Sequence, residues 1–296
     1  MIPEKIRERN AGGMAMKIAF NEATTLRNSN LQQDLEYCER FGYDYIEIRL
    51  DKLKEYLRDR AVPDLQNFFG HSRIKPYAFN ALESINFRDE AGFRQIKEDL
   101  IFLCEVGNAI DCKKIIVVPT FDIGDFTREQ IKTETVRVLR VLSDLALPHG
   151  VRLALEFVGY PNCSINTFRQ AYEIVQATDR PNVGIVLDCF HFHAMNSRLE
   201  DLRAADPGKI FVFHLDDCED LPAGTLRDHH RVWPGQGAIH LDAILTVLRE
   251  IGYGEMASVE LFRPEYWEWD AARTIRTGKE AAERIIRRYF PLQESN

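Results

Sequence analysis

Four side chains with carboxylate or imidazole donors punctuate the second half of this chain. They are Glu156 in LALEF, Asp188 in GIVLD, His214 in IFVFH and Glu260 in ASVEL. Each closes a short apolar or β-branched run, and loop-like sequence follows. Two glutamates, an aspartate and a histidine form a hard, mostly oxygen donor set for one divalent cation. A single acidic residue at a strand end is usually just a solvated loop group. Four in succession form a pattern. The intervals between them approximate one unit of a (β/α)₈ barrel, ~30 residues, with the last interval longer. The spacing therefore predicts four consecutive strands that deliver the residues to the mouth where barrel active sites form.

The elements that must position them alternate along the whole chain, the pattern of an α/β fold. Strands are predicted at 17–21, 44–49, 74–80, 114–119, 151–156, 183–188, 210–215 and 257–261. Helices are predicted near 31–42, 52–70, 89–111, 128–149, 167–178, 197–205, 240–251 and 266–289. The later strands are near-continuous apolar runs, as in a parallel sheet covered on both faces. Breakers stand where helices should end: His149-Gly150 before the fifth strand and Gly252-Tyr253-Gly254 before the eighth. The expectation is a single (β/α)₈ TIM barrel over residues 16–296. Residues 1–15 are polar with a Gly-Gly pair, and are expected to be a mobile N-terminal extension. The longest connection, 216–239, holds Arg231, Trp233 and the PGQG turn. Structureless loops of that length are uncommon unless functional, so a lid or substrate wall is expected there.

Bulk properties narrow the function classes. The chain has 296 residues, 45% hydrophobic, with 38 basic and 46 acidic side chains and a net charge of −8. An acidic surface without a basic tract argues against nucleic acid as a partner. No apolar run approaches the ~20 residues of a membrane helix. The six cysteines are scattered without a CxxC pair, and no signal peptide is evident, so free thiols in a reducing cytoplasm are expected. The chain lacks a nucleophile elbow, a phosphate-binding Gly-rich loop, and a dinucleotide fingerprint after the first strand. No Arg or Lys cluster marks a phosphate pocket, which points to an unphosphorylated ligand.

Several long motifs carry a resemblance. FNEATTLRNSNL (20–31), GYDYIEIR (42–49), LALEFVGYP (153–161), VGIVLDCFHFHAMNS (183–197), RVWPGQGAI (231–239) and SVELFRPEYW (258–267) are similar to the xylose-isomerase-like sugar isomerase and epimerase superfamily. Within it they most resemble the inosose (2-keto-myo-inositol) isomerases of myo-inositol catabolism. The likeness runs from about Met16 to the last helix. One departure is His240, where such proteins usually have Asp. It falls at a predicted helix start, so a changed cap is expected rather than changed chemistry.

The resemblance implies that Glu156, Asp188, His214 and Glu260 hold one divalent metal cation, among Mn²⁺, Zn²⁺, Co²⁺, Mg²⁺ and Fe²⁺. It implies that Glu156 and Glu260 are also the catalytic proton-transfer pair, working through a cis-enediolate that moves a ketone to the neighbouring carbon. The implied substrate is a small keto-inositol or keto-sugar, with 2-keto-myo-inositol giving 1-keto-D-chiro-inositol. His191, in DCFH, and Arg231 are the substrate-binding candidates; the bland alternatives are a His packed in its loop and a solvated loop Arg. Asn21, Glu22, Glu47 and Asn80 end or line the first three strands and could face the same mouth. Trp267 could wall a ring face or pack against the last helix. His193 receives no role. Three enzyme alternatives share the scaffold: an epimerase or isomerase of free ketoses, a dehydratase that expels a β-hydroxyl from the same enolate, and a three-zinc endonuclease. The last needs more ligands than the eight histidines supply at strand ends. A barrel with a merely structural ion is the non-enzymatic alternative.

Overall fold

Alternation along the strands decides what faces the barrel axis. In a computed structural model describing residues 15–292, the strands are β1 (Lys17–Asn21), β2 (Tyr45–Arg49), β3 (Lys75–Leu82) and β4 (Lys114–Val117). They continue with β5 (Arg152–Glu156), β6 (Val183–Asp188), β7 (Ile210–Leu215) and β10 (Met256–Val259). These eight close into a parallel barrel ordered β1-β10-β7-β6-β5-β4-β3-β2. Leu153, Leu155, Ile185, Leu187, Ala257 and Val259 point outward into the main core beneath the helices. Ala19, Ala154, Val186, Val212 and Met256 point inward and fill a second, smaller core. Continuing that inward period of two brings Asn21, Glu47, Glu156, Asp188, His214 and Glu260 to the axis near the mouth.

The helical layer follows the predicted order with physical corrections. The first predicted helix is α1 (Leu31–Arg40), and the 52–70 stretch is two helices, α2 (Leu50–Asp59) and α3 (Val62–His71). Pro63 sits in the first turn of α3, where its missing N–H costs nothing, and Ala61 before that turn is extended. The last stretch also divides, into a single turn at Pro264–Trp267 and a helix at Ala271–Ile286 capped by Asp270. A six-residue helix at Cys189–Ala194 was not expected from the sequence. The long connection after β7 is not structureless. Asp217–Cys218 (β8) pairs antiparallel with Arg231–Val232 (β9). The Asp217 carboxylate then accepts from the backbone N–H groups of Gly235, Gly237 and Ile239, pinning the PGQG turn. A Cβ on Gly237 would collide with the Cys218 carbonyl, so this close approach requires glycine.

Residues 1–14, which hold nearly all of the expected extension, lie outside the described residues. Met16 is buried and pairs with Leu292. No helix among the described residues is long and apolar enough to cross a membrane. All six cysteines are free and buried.

Candidate metal centre

Each of the four donors is placed by the end of a different strand. Glu156 and Asp188 are the last residues of β5 and β6, His214 is the penultimate residue of β7, and Glu260 directly follows β10. Asp188 is also the N-cap of the helix at Cys189–Ala194, its Oδ1 accepting from His191 N at 2.7 Å. Its other oxygen turns to the axis. His214 Nδ1 lies 3.1 Å from Glu156 Oε1, 3.0 Å from Glu260 Oε2 and 3.6 Å from Asp188 Oδ2. One donor atom from each residue falls within 4.8 Å of the other three.

The charge balance favours a cation. Glu47, Glu156, Asp188, Asp216 and Glu260 are all buried, and one guanidinium, Arg231, is buried with them. Burying unmatched charge is costly, so such a set requires protons or a metal. Without an ion the protons go where the field is strongest. Burial and the neighbouring Glu260 charge push the Glu156 carboxyl up to about 8. His214 is held well above the usual imidazole range: burial opposes this, but the Glu260 and Glu47 charges outweigh it. Asp188 goes the other way. Burial would raise it, yet Arg231 and His191 hold it well below the carboxylate range.

Arg231 is wholly buried and shared among carboxylates. Its Nη1 donates to Asp188 at 2.8 Å and also to Asp216, and its Nε donates to Asp228 at 3.1 Å. Nη2 donates to His191 Nε2 at 3.1 Å. The two substrate-binding candidates therefore touch each other beside the donor set. His191 Nδ1 is buried without a hydrogen-bond partner.

The first three strands contribute more than the sequence indicated. Asn21 and Asn80 both donate to Glu260 Oε1, at 2.8 and 3.0 Å, and fix that carboxylate from behind. Glu47 reaches His214 from across the barrel. Glu22 does not join them. It points the opposite way from Asn21, accepts from Arg49 N and lies 3.9 Å from Lys52. Trp267 is half-buried, donates to the Ala23 carbonyl and carries Arg27 over its ring. No local signal separates Asn21 and Asn80 from ordinary strand-end amides, because their partner is 239 and 180 residues away.

A closed parallel barrel with a carboxylate-rich centre at the strand ends defines a class. The chain belongs to the xylose isomerase-like TIM barrel family, whose model matches residues 35–285. It is similar to the inosose isomerase of Bacillus velezensis, 54% identical over 93% of this chain and 99% of the relative. It is also similar to the inosose isomerase of Bacillus subtilis, 52% identical over 94% of this chain and 100% of the relative. Among solved structures it resembles an IolI protein with a bound zinc atom. That likeness has a TM-score of 0.91 at 52% identity, covering 93% of this chain and 99% of the other.

Proposed function

We propose that this chain is a divalent-metal-dependent isomerase of keto-inositols, converting 2-keto-myo-inositol to 1-keto-D-chiro-inositol within myo-inositol catabolism. The observation that carries the reading is the buried Glu156, Asp188, His214 and Glu260 cluster, whose donors lie within 4.8 Å of one another. End-to-end likeness to inosose isomerases supports the substrate. The zinc atom of the related structure supports one bound cation. Residues 16–296 act as one catalytic domain in this reading. The substrate is small and sugar-like, and the reading requires neither nucleic acid nor membrane. Six unpaired cysteines support a reducing compartment.

In this reading Glu156, Asp188, His214 and Glu260 hold the cation. When bound, it supplies Lewis acidity toward the ketone and its neighbouring hydroxyl. Glu156 Oε1 and Glu260 Oε2 lie near His214, while Glu260 Oε1 accepts from Asn21 and Asn80. One carboxylate removes the proton from the hydroxyl-bearing carbon, giving an enediolate. The other carboxylate relays a proton taken from solvent to the former carbonyl carbon, the hydroxyl proton passes between the two oxygens, and the first carboxylate returns its proton to solvent. The ketone has then moved one position with no net loss of atoms. Asn21 and Asn80 hold Glu260 in place for this transfer. His191, through Nδ1, donates to a substrate hydroxyl. Arg231 holds Asp188 and His191 and supplies positive charge beside the developing enediolate.

The test is incubation of the metal-loaded chain with 2-keto-myo-inositol and resolution of products by NMR. The expected product is 1-keto-D-chiro-inositol. An ultraviolet-absorbing enone would instead make the chain a dehydratase, and turnover of free ketoses alone would make it an epimerase or isomerase of those sugars.

A further inference from the structure

The His214 imidazole has two nitrogens, and the centre uses one. Nδ1 faces Glu156, Asp188 and Glu260, while Nε2 faces away and lies 3.2 Å from Glu47 Oε2. Glu47 stands on β2, inward-facing between Ile46 and Ile48, and both Glu47 and His214 are fully buried. The other Glu47 oxygen, Oε1, is buried without a hydrogen-bond partner. Among the described residues, His214 is the group that hydrogen-bonds the Glu47 side chain. A carboxylate is costly to bury, and this one has a single evident occupation.

We propose that Glu47 is a positioning residue for the metal centre, fixing the His214 tautomer from the side opposite the ion. The proposal rests on the metal reading given above. A carboxylate oxygen 3.2 Å from Nε2 is placed to accept from that nitrogen, which selects the imidazole form with the proton on Nε2. The Nδ1 lone pair is then turned to the centre. The same contact makes the ring a better donor and locks its rotation. Glu47 does this from across the barrel, 167 residues away in sequence. It acts on the ion through His214 and has no direct place in the ligand set.

The experiment measures Zn²⁺ affinity of the full chain by chelator competition, for wild type, Glu47→Gln and Glu47→Ala. Glu47→Ala should bind about 10–100-fold more weakly, the usual cost of removing such a partner. Glu47→Gln keeps a carbonyl acceptor without the charge and should lose several-fold. A packing role alone would not touch the Nε2 proton, so Co²⁺-loaded protein provides a second readout. Wild type should show a paramagnetically shifted, slowly exchanging His214 Nε2–H signal, and Glu47→Ala should lose it to solvent exchange. Should Glu47→Ala fail to fold, the Gln variant decides. Wild-type affinity and an unchanged signal in Glu47→Gln, and in Glu47→Ala where it folds, would overturn the proposal while leaving the metal reading intact. A wild-type chain that binds no Zn²⁺ would overturn the metal reading itself and this proposal with it.

Discussion

At the residue scale, the two glutamates of the centre are not equivalent. Glu260 Oε1 accepts from two amides, whereas Glu156 is bonded to His214 and carries a carboxyl pushed up to about 8. Both Glu156→Gln and Glu260→Gln should lower kcat more than they raise KM, by about 10²–10⁴-fold. Metal content must be measured in the same samples, since each residue also serves the ion. Full activity with normal metal content in both variants would remove the proton-transfer role. The pH behaviour has a definite sign. In the metal-free chain the raised Glu156 carboxyl keeps its proton between about pH 4.5 and 8, where an unfolded chain has lost it. Metal-free stability should therefore fall as pH rises through that window, and added metal should restore it. Metal binding at pH 7 should release protons from Glu156 and His214, detectable in weakly buffered solution. Binding without proton release would contradict the described field. At this scale the four donors were legible because each ends an apolar run. Asn21, Asn80 and Glu47 were assigned only to the mouth in general. Their specific partners come from barrel closure, which no local pattern encodes.

At the element scale, strand positions followed from hydrophobic runs with errors of a residue or two. Helix boundaries failed where a local breaker competed with periodicity. Pro63 divides one predicted helix and Asp270 begins a new one after a single turn. The helix at Cys189–Ala194 was hidden because Asp188 serves both as donor and as N-cap, and a six-residue helix leaves little periodicity. The ribbon of β8 and β9 is two residues a side, too short to announce itself. His240 heads the helix Leu241–Ile251 without a side-chain cap bond. Restoring an acceptor with His240→Asp should stabilise the fold by about 1 kcal/mol, read as a raised denaturation midpoint with unchanged slope. Activity should not change, because the cap lies outside the donor set. No gain in stability would mean that the backbone at this position cannot accept a cap.

At the scale of the whole molecule, stability and chemistry occupy different ends of one scaffold. The outer core under the helices and the inner core along the axis are two separate bodies of apolar packing, while the donors sit at the strand ends. Removing the ion with a chelator should abolish activity and leave the far-ultraviolet circular dichroism essentially intact. Collapse of the fold on chelation would instead make the ion structural. The barrel was legible in the sequence because eight apolar runs alternate with helical stretches at the right interval. The substrate was legible only through long motifs, since the donor set alone serves isomerases, epimerases and dehydratases alike.

The most direct test is turnover of 2-keto-myo-inositol in D₂O by the metal-loaded chain, followed by NMR. The account predicts 1-keto-D-chiro-inositol carrying deuterium on the carbon that was formerly the ketone, and no product after chelation. Product formed at the same rate in chelated protein, or formed with no solvent deuterium and complete retention of the migrating hydrogen, would contradict proton transfer by Glu156 and Glu260 through a solvent-exchanging enediolate.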